Sequence, residues 1–415
     1  MRSRNASIIA TTLLTIFTMA HRAYAEDTVT LCGKSFPTNS MAVSLRGCKT
    51  LHGDGLKQLV GFTSLKELDL AETKVTDADL RYIGDLTSLK TLYLDWTKVT
   101  DGGLKHLAGL TSLEMLDLHG TAVTDAGMKH VAGLMSLTTL NIDGTTGTAA
   151  GLKHLTGLTS LNTLGLLSTT VPDAGLNRLA DLRSLKKLDL SGTTLTTAGL
   201  KHLAVLKSLE ELVLVWTTVT DTGLKHIAGI HSLKKLDLFG TTVTDIGLKH
   251  LTELTSLEEL DLSATKITDA GAKHLAGFTS LQKVDLRYTD ITDTGLKYLT
   301  GLKSLKKLDL HATTVTDKGL QYLSELFALT GLGLRGTAVT DAGLKHIAAL
   351  TALKWLDLRR IKVTHEGLQH LEGLTMLATL DLRGTDVTDA AIKRLKTVLL
   401  QCKLRQCTIL HQRAS

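Results

Sequence analysis

The chain has 415 residues, with 47 Lys+Arg against 41 Asp+Glu, 36 glycines, only two prolines (Pro37 and Pro172) and 4% aromatic residues. Such a length suggests two or three domains, but so little proline beside so much glycine points to one unit copied many times. The near balance of charge gives no reason to expect a nucleic-acid partner.

Residues 1–25 read as a cleavable export signal. Arg2 and Arg4 form a positive start, Ser7 to Ala20 is a mostly apolar stretch too short to span a bilayer comfortably, and Ala23-Tyr24-Ala25 is an A-x-A cleavage site. Cleavage after Ala25 removes Arg2, Arg4 and Arg22 and leaves 44 basic residues against 41 acidic. The mature chain is expected to be secreted, periplasmic or at a cell surface, with no membrane span. Val29-Thr30-Leu31 before Cys32 lacks the small residues of a lipoprotein box.

Beyond that signal, residues 26–64 are expected to form an N-terminal cap and an atypical first repeat, 65–400 fourteen repeats, and 401–415 a C-terminal cap. Leucines recur every 24 residues at 65, 89, 113 and so on to 377, in the frame L-x-x-L-x-L-x-x-T-x-V-T-D-x-G-L-K-H-L-x-x-L-x-x. Leu68-Asp69-Leu70 alternates with period two and predicts a short strand. Thr76-Asp77 predicts a helix start, with Thr or Asp as N-cap and a negative charge at the positive end of the helix dipole. After Asp101, Leu104, Leu107 and Ala108 share one helical face. Neither apolar face can be buried within one unit, so neighbouring units must stack.

This frame, over about Val43 to Ile409, resembles the leucine-rich-repeat superfamily. It is similar to the bacterial T-x-V-T-D repeats akin to the cysteine-containing and ribonuclease-inhibitor-like branches, and lacks the G-x-I-P of the plant extracellular type. The resemblance implies an α/β fold: a right-handed solenoid, or horseshoe, with a concave parallel sheet and convex helices. It also implies protein–protein recognition on a rigid scaffold.

The threonine of the frame, from Thr73 through Thr385, points inward, where its hydroxyl can satisfy backbone groups at the turn. Ile361 alone breaks this ladder, within "LDLRRIKVTHEGLQHL". Cys48 and Cys407 fall three residues after Leu45 and Leu404, at the ladder position of the two end units. With two cysteines near each end, one disulfide per cap is the default. A Cys32–Cys48 bridge would clamp the N-terminal cap. A Cys402–Cys407 bridge stays open: it needs Cα atoms ~4.4–6.8 Å apart, which a strand at Cys402 to Leu404 would work against.

Four variable columns remain as candidates for function. The helix histidines (His106, His130, His154, His202, His226, His250, His274, His346, His370) fall on the predicted solvent side. They read as a copied solvated face, with a metal-binding surface as the alternative; convex helices ~8–10 Å apart are too widely spaced for two imidazoles to share an ion. The strand aspartates, among them Asp189, Asp237, Asp261, Asp285 and Asp309, could hold calcium, but Lys187, Lys235, Lys283 and Lys307 on the same face are expected to neutralise them. Two residues further on, Arg287, His311, Arg335, Arg359 and Arg383 make a basic ribbon ~20 Å long, extended by Arg360. Gly331 and Gly333 open a notch that leaves Arg335 without its aspartate, beside Trp355 and Arg359. Arginine's planar fork suits a carboxylate or phosphate. The fourth is an apolar and aromatic cluster, Leu167, Val213, Val215, Trp216 and Phe239, with Tyr93 and Trp96 further toward the N-terminus. Its expected place is the concave side, as an interaction surface or as local packing over the strand edge.

No G-x-S-x-G, H-E-x-x-H or phosphate loop occurs. The expectation is a secreted, non-enzymatic scaffold without cofactor or metal, binding a protein or an anionic macromolecule. The repeat is also similar to that of F-box leucine-rich-repeat proteins, which implies an alternative as a ubiquitin-ligation adaptor. The export signal and the short segment before the repeats argue against it.

Overall fold

The computed structural model describes residues 28–147, 149–401 and 408–410. The export signal, Cys402 and Cys407 lie outside them. The chain divides into two compact units, one ending at Gly147 and the other beginning at Thr148.

In the first unit, β1 (Thr28–Leu31) and β2 (Lys34–Pro37) pair antiparallel as a hairpin. Then β3 (Ala42–Ser44), β4 (Glu67–Asp69), β5 (Thr91–Tyr93), β6 (Met115–Asp117) and β7 (Thr139–Asn141) lie side by side, all parallel. Cys32 and Cys48 are disulfide-bonded with Cα atoms 6.2 Å apart, tying the hairpin to the turn after β3.

The second unit carries the remaining parallel strands: β8 (Thr163–Gly165), β9 (Lys187–Asp189), β10 (Glu211–Val213), β11 (Lys235–Asp237), β12 (Glu259–Asp261), β13 (Lys283–Asp285), β14 (Lys307–Asp309), β15 (Gly331–Gly333), β16 (Trp355–Asp357), β17 (Thr379–Asp381) and β18 (Thr408–Leu410). Each is three residues long, and in β8–β17 the central leucine or valine is buried while its two neighbours face outward. Within each unit the leucines of strand, turn and short helix are buried in a layered core.

The threonine ladder holds its turn as the pattern predicts. Each ladder hydroxyl donates to the carbonyl three residues earlier, from Thr73 on Leu70 to Thr385 on Leu382, at 2.5–2.8 Å. Ile361 is equally buried, 4% exposed, and offers the Leu358 carbonyl no hydroxyl.

A second ladder is not evident in any single copy. The aspartate after the N-cap threonine reaches across to the threonine of the next repeat. Asp77 accepts from the Thr100 amide at 2.7 Å and hydroxyl at 2.5 Å, and Asp101 does the same with Thr124. In the second unit the pattern runs from Asp173–Thr196 and Asp221–Thr244 through every repeat to Asp341–Thr364. The threonine hydroxyl meanwhile accepts from the helix's own backbone, as at Gly102 and Ala270. This clasp explains the glycine of T-D-x-G: a Cβ at Gly127, Gly271 or Gly295 would come well within 3.0 Å of the preceding repeat's carboxylate.

The exceptions obey the same rule. Where His365 replaces the aspartate, the glycine one repeat later is Ala391. Where Ala149 replaces it, the donor threonine is Pro172, which has no N–H to give. Where Thr197 replaces it, its hydroxyl meets that of Thr220 at 2.7 Å.

The C-terminal end departs from expectation. With Ala391 in place of glycine and no later breaker, the last helix runs Asp389–Gln401. The strand that pairs with β17 is Thr408–Leu410, with Ile409 opposite Leu380; the strand considered at Cys402 to Leu404 falls outside the described residues.

Candidate functional site

Three outward columns form the exposed face of the strands, and in the second unit their charges divide. Across β9–β12 two lysines (Lys187, Lys235) face five carboxylates (Asp189, Glu211, Asp237, Glu259, Asp261). Across β13–β17, counting the residue two beyond each strand aspartate, six cations (Lys283, Arg287, Lys307, Arg335, Arg359, Arg383) face four carboxylates (Asp285, Asp309, Asp357, Asp381).

The lysines do not neutralise the aspartates as expected. Lys187 pairs with Glu211 at 2.8 Å, and Lys235 with Glu259 at 2.8 Å, in their own column. Parallel in-register strands put these residues directly opposite each other, whereas the aspartates lie two residues along. Among the described residues Asp237 is thus left accepting only the Phe239 amide, at 2.9 Å. Burial, followed by the charges of Asp261, Asp189 and Asp285, pushes its carboxyl up to about 6. Asp309 is likewise raised to about 6, chiefly by burial.

The basic ribbon is largely self-neutralised. The Arg287 guanidinium holds Asp285 at 2.8 Å. Arg359 grips Asp357 at 2.5 Å and reaches Asp381 at 3.3 Å, while Arg383 holds Asp381 at 2.5 Å. Burial raises the Asp381 carboxyl, but the Arg383 hydrogen bonds and the charges of both arginines outweigh it and hold it below the ordinary value. Burial and then the Arg335 charge lower the His311 imidazole, so it adds little positive charge near neutrality. Arg335 itself has no carboxylate within 4.0 Å among the described residues, as the sequence predicts, and is half-buried. The notch is smaller than expected: the Asp309 carboxyl leans into the place a Gly333 side chain would take, and the Trp355 ring leans over Gly331.

The apolar cluster separates. Leu167, Val213, Val215 and Phe239 are half-buried on the outward face. Trp216 is not on that face. It sits at the turn leaving the strand, with φ 53°, is 63% exposed, packs edge-on against Phe239 at 5.0 Å and lies over Gly240. Trp96 does the same in the first unit, against His119 at 5.1 Å. Tyr288, overlooked in the sequence, stacks on His311 at 5.0 Å, and Arg360 occupies this left-handed position with φ 55°. An L-residue there costs about 1–2 kcal/mol, and glycine fills it in several other copies.

The histidine column is less solvated than predicted: most of its members are half-buried between neighbouring helices, and only His226 and His370 are exposed. Burial and the Lys129 charge lower His130. No group of three His, Cys, Asp or Glu placed to hold a metal occurs among the described residues. No helix among them is long and apolar enough to cross a membrane.

Comparison with known proteins agrees with this architecture. Residues 44–222 match a sequence profile described as "Leucine-rich repeat region", and residues 229–251, 253–276 and 279–299 match a second described as "Leucine Rich repeat". The chain belongs to the leucine-rich-repeat superfamily. No curated protein matches it. Among solved structures, an internalin (InlF) of Listeria monocytogenes is similar at 22% identity and TM-score 0.55, over 84% of this chain and 89% of that one. A leucine-rich-repeat protein of Leptospira interrogans is similar at 22% and 0.52, over 87% and 81%. The functional domain of InlJ from Listeria monocytogenes is similar at 19% and 0.53, over 86% and 71%.

The raised aspartates of this leucine-rich-repeat sheet make a stability prediction. Native Asp237 keeps its proton to about pH 6, whereas the unfolded residue releases it near 3.8. Between those values the native state binds more protons, so stability falls as pH rises through that window and the penalty is complete above it. Asp237→Asn should therefore stabilise the protein at pH 7.5, on the order of 1 kcal/mol after solvent screening, and by less at pH 4.5. Asn141 already fills this position in β7, accepting the same amide contact at 2.9 Å. Urea titrations at the two pH values check it; an equal gain at both, or a loss at pH 7.5, contradicts it.

Proposed function

We propose that this leucine-rich-repeat chain is an exported, non-enzymatic scaffold that recognises a protein partner on the outward face of strands β8–β17. The observation that carries the reading is the divided charge of that face, acidic over β9–β12 and basic over β13–β17. The frame does not require this division, since each side chain in these columns leaves the buried leucine layer unchanged. A partner with the reverse division would be held in one orientation, because charge complementarity sets register and on-rate. Trp216 and Tyr288, exposed in left-handed positions where glycine costs less, support an adjoining aromatic contact. Export is supported by the signal-like residues 1–25 and by the Cys32–Cys48 bridge, which suits an oxidising compartment.

Arg335→Glu tests the reading. It breaks no ion pair among the described residues, so the melting temperature should stay nearly unchanged while capture of the partner from extracellular material drops at least tenfold. Capture at the parental level would remove the basic half from the binding surface.

A further inference from the structure

Strand β15 is unlike its neighbours in the second unit, because both of its outward positions, Gly331 and Gly333, lack side chains. Neither has a left-handed backbone, so the turn geometry that calls for glycine elsewhere does not apply. Glycine within a strand weakens it and often marks a place where another molecule approaches closely. Over this strand lies an open groove of 490 Å³. Its floor is the Gly331 backbone. One wall is the Lys307 stem and the other the Trp355 ring, each so placed that a Cβ at 331 would lie 3.4 Å and 3.3 Å away.

The rim is cationic. Lys283, Lys307 and Lys354 line the groove. Among the described residues, no carboxylate comes within 4.0 Å of Lys307 or Lys354, and Lys283 meets only Glu259, at 3.9 Å. Two carboxylates, Asp285 and Asp309, also line the groove, and Asp285 is held by Arg287 at 2.8 Å.

We infer that this groove anchors one aromatic or large aliphatic side chain, presented by an acidic stretch of the protein partner. The inference rests on the protein-binding reading above and names the chemistry of that partner. The apolar walls suit a side chain of aromatic size, and a groove of this volume lies within the usual range for a bound group. The lysine heads suit carboxylates flanking it. The groove's lining runs from Lys283 on β13 to Trp355 on β16, roughly 14 Å at strand spacing, but over Gly331 the Lys307 stem and the Trp355 ring close it to the width of a single inserted side chain.

The chain has three tryptophans, Trp96, Trp216 and Trp355, so 15N-tryptophan labelling gives three indole N–H resonances, assignable by Trp→Phe variants. The probes are the blocked peptides acetyl-EDFDE-amide, its neutral analogue acetyl-QNFNQ-amide, and acetyl-EDSDE-amide without the ring. The expected result is movement of the Trp355 resonance with the first peptide, at least tenfold weaker binding of the other two, and loss on adding salt. Gly331→Val should fill the floor and abolish the shift; strand propensity favours valine but its Cβ would crowd the Trp355 ring and Lys307 stem, so a melting curve is used to show that the variant is folded. Lys307→Glu with Lys354→Glu should weaken binding at least tenfold. The inference is overturned if Trp355 stays still, if the neutral peptide binds equally, if Gly331→Val still binds, or if polygalacturonate alone moves the resonance. Movement of Trp216 instead would overturn the groove while sparing the protein-binding reading, and the Arg335→Glu capture result tests that reading independently.

Discussion

Gly295→Ala is expected to destabilise the protein by roughly 2–4 kcal/mol, far more than an Ala-for-Gly exchange in a helix normally would, since alanine is the better helix former. The new Cβ would press on the Asp269 carboxylate, which holds the Thr292 amide at 2.8 Å and its hydroxyl at 2.5 Å. Hydrogen bonds to a charged acceptor contribute about 1.5–3 kcal/mol each, so displacing that carboxylate is costly. Asp269→Ala alone should also destabilise by a comparable amount. The double variant should cost less than the two singles together, because with the carboxylate gone the Cβ has room. Residues in direct contact commonly couple by about 0.5–3 kcal/mol. The sequence already contains this compensated state at His365 and Ala391. A denaturant-based double-mutant cycle gives the coupling directly, and strict additivity would contradict the clasp.

Arg359→Ala should cost about 3–5 kcal/mol, because it strands the Asp357 carboxylate, 3% exposed, and takes one of two arginines from Asp381, which keeps Arg383. Arg335→Ala, one repeat earlier in the same column, should change stability by less than about 0.5 kcal/mol. The Arg359 effect should fade on acidification. Asp381 titrates below its ordinary value of 3.8 in the folded protein, so its contribution is present above that pH and lost as pH falls through the folded value. Equal melting points for the two variants at pH 7 would show that the ion pairs contribute little.

The period made the fold legible from sequence. Fourteen leucines at constant spacing fix which residues face inward, and the ladder hydroxyls follow because only threonine supplies a donor at that buried turn. The clasp escaped because its partners lie 23 residues apart in different copies, and within one copy T-D looks like an ordinary helix cap. A comparison of exceptions would have found it, since His365 with Ala391 and Ala149 with Pro172 change together across neighbouring copies.

The site was read less well. Arg335 could be recognised as unpaired from the missing aspartate, and the rest of the ribbon as screened by the aspartates beside it; what the sequence could not give is the close grip of Arg359 and Arg383 on Asp357 and Asp381. Lys187 and Lys235 were assigned to the wrong partners because alternation along a strand places them on the aspartates' face without fixing which carboxylate is nearest. In-register pairing decides that in favour of Glu211 and Glu259. Trp216 was misplaced because the turn's left-handed backbone swings its ring off the sheet.

The central claim is that the outward face of the second unit's strands meets a protein. A photo-crosslinking residue placed at Val215, on that face, and separately at Lys249, on a helix, tests it most directly. Exposed to extracellular material and illuminated, the Val215 variant should yield a discrete protein adduct identifiable by mass spectrometry, and the Lys249 variant should not. The same adduct from both positions, or an adduct from Lys249 alone, would contradict the claim.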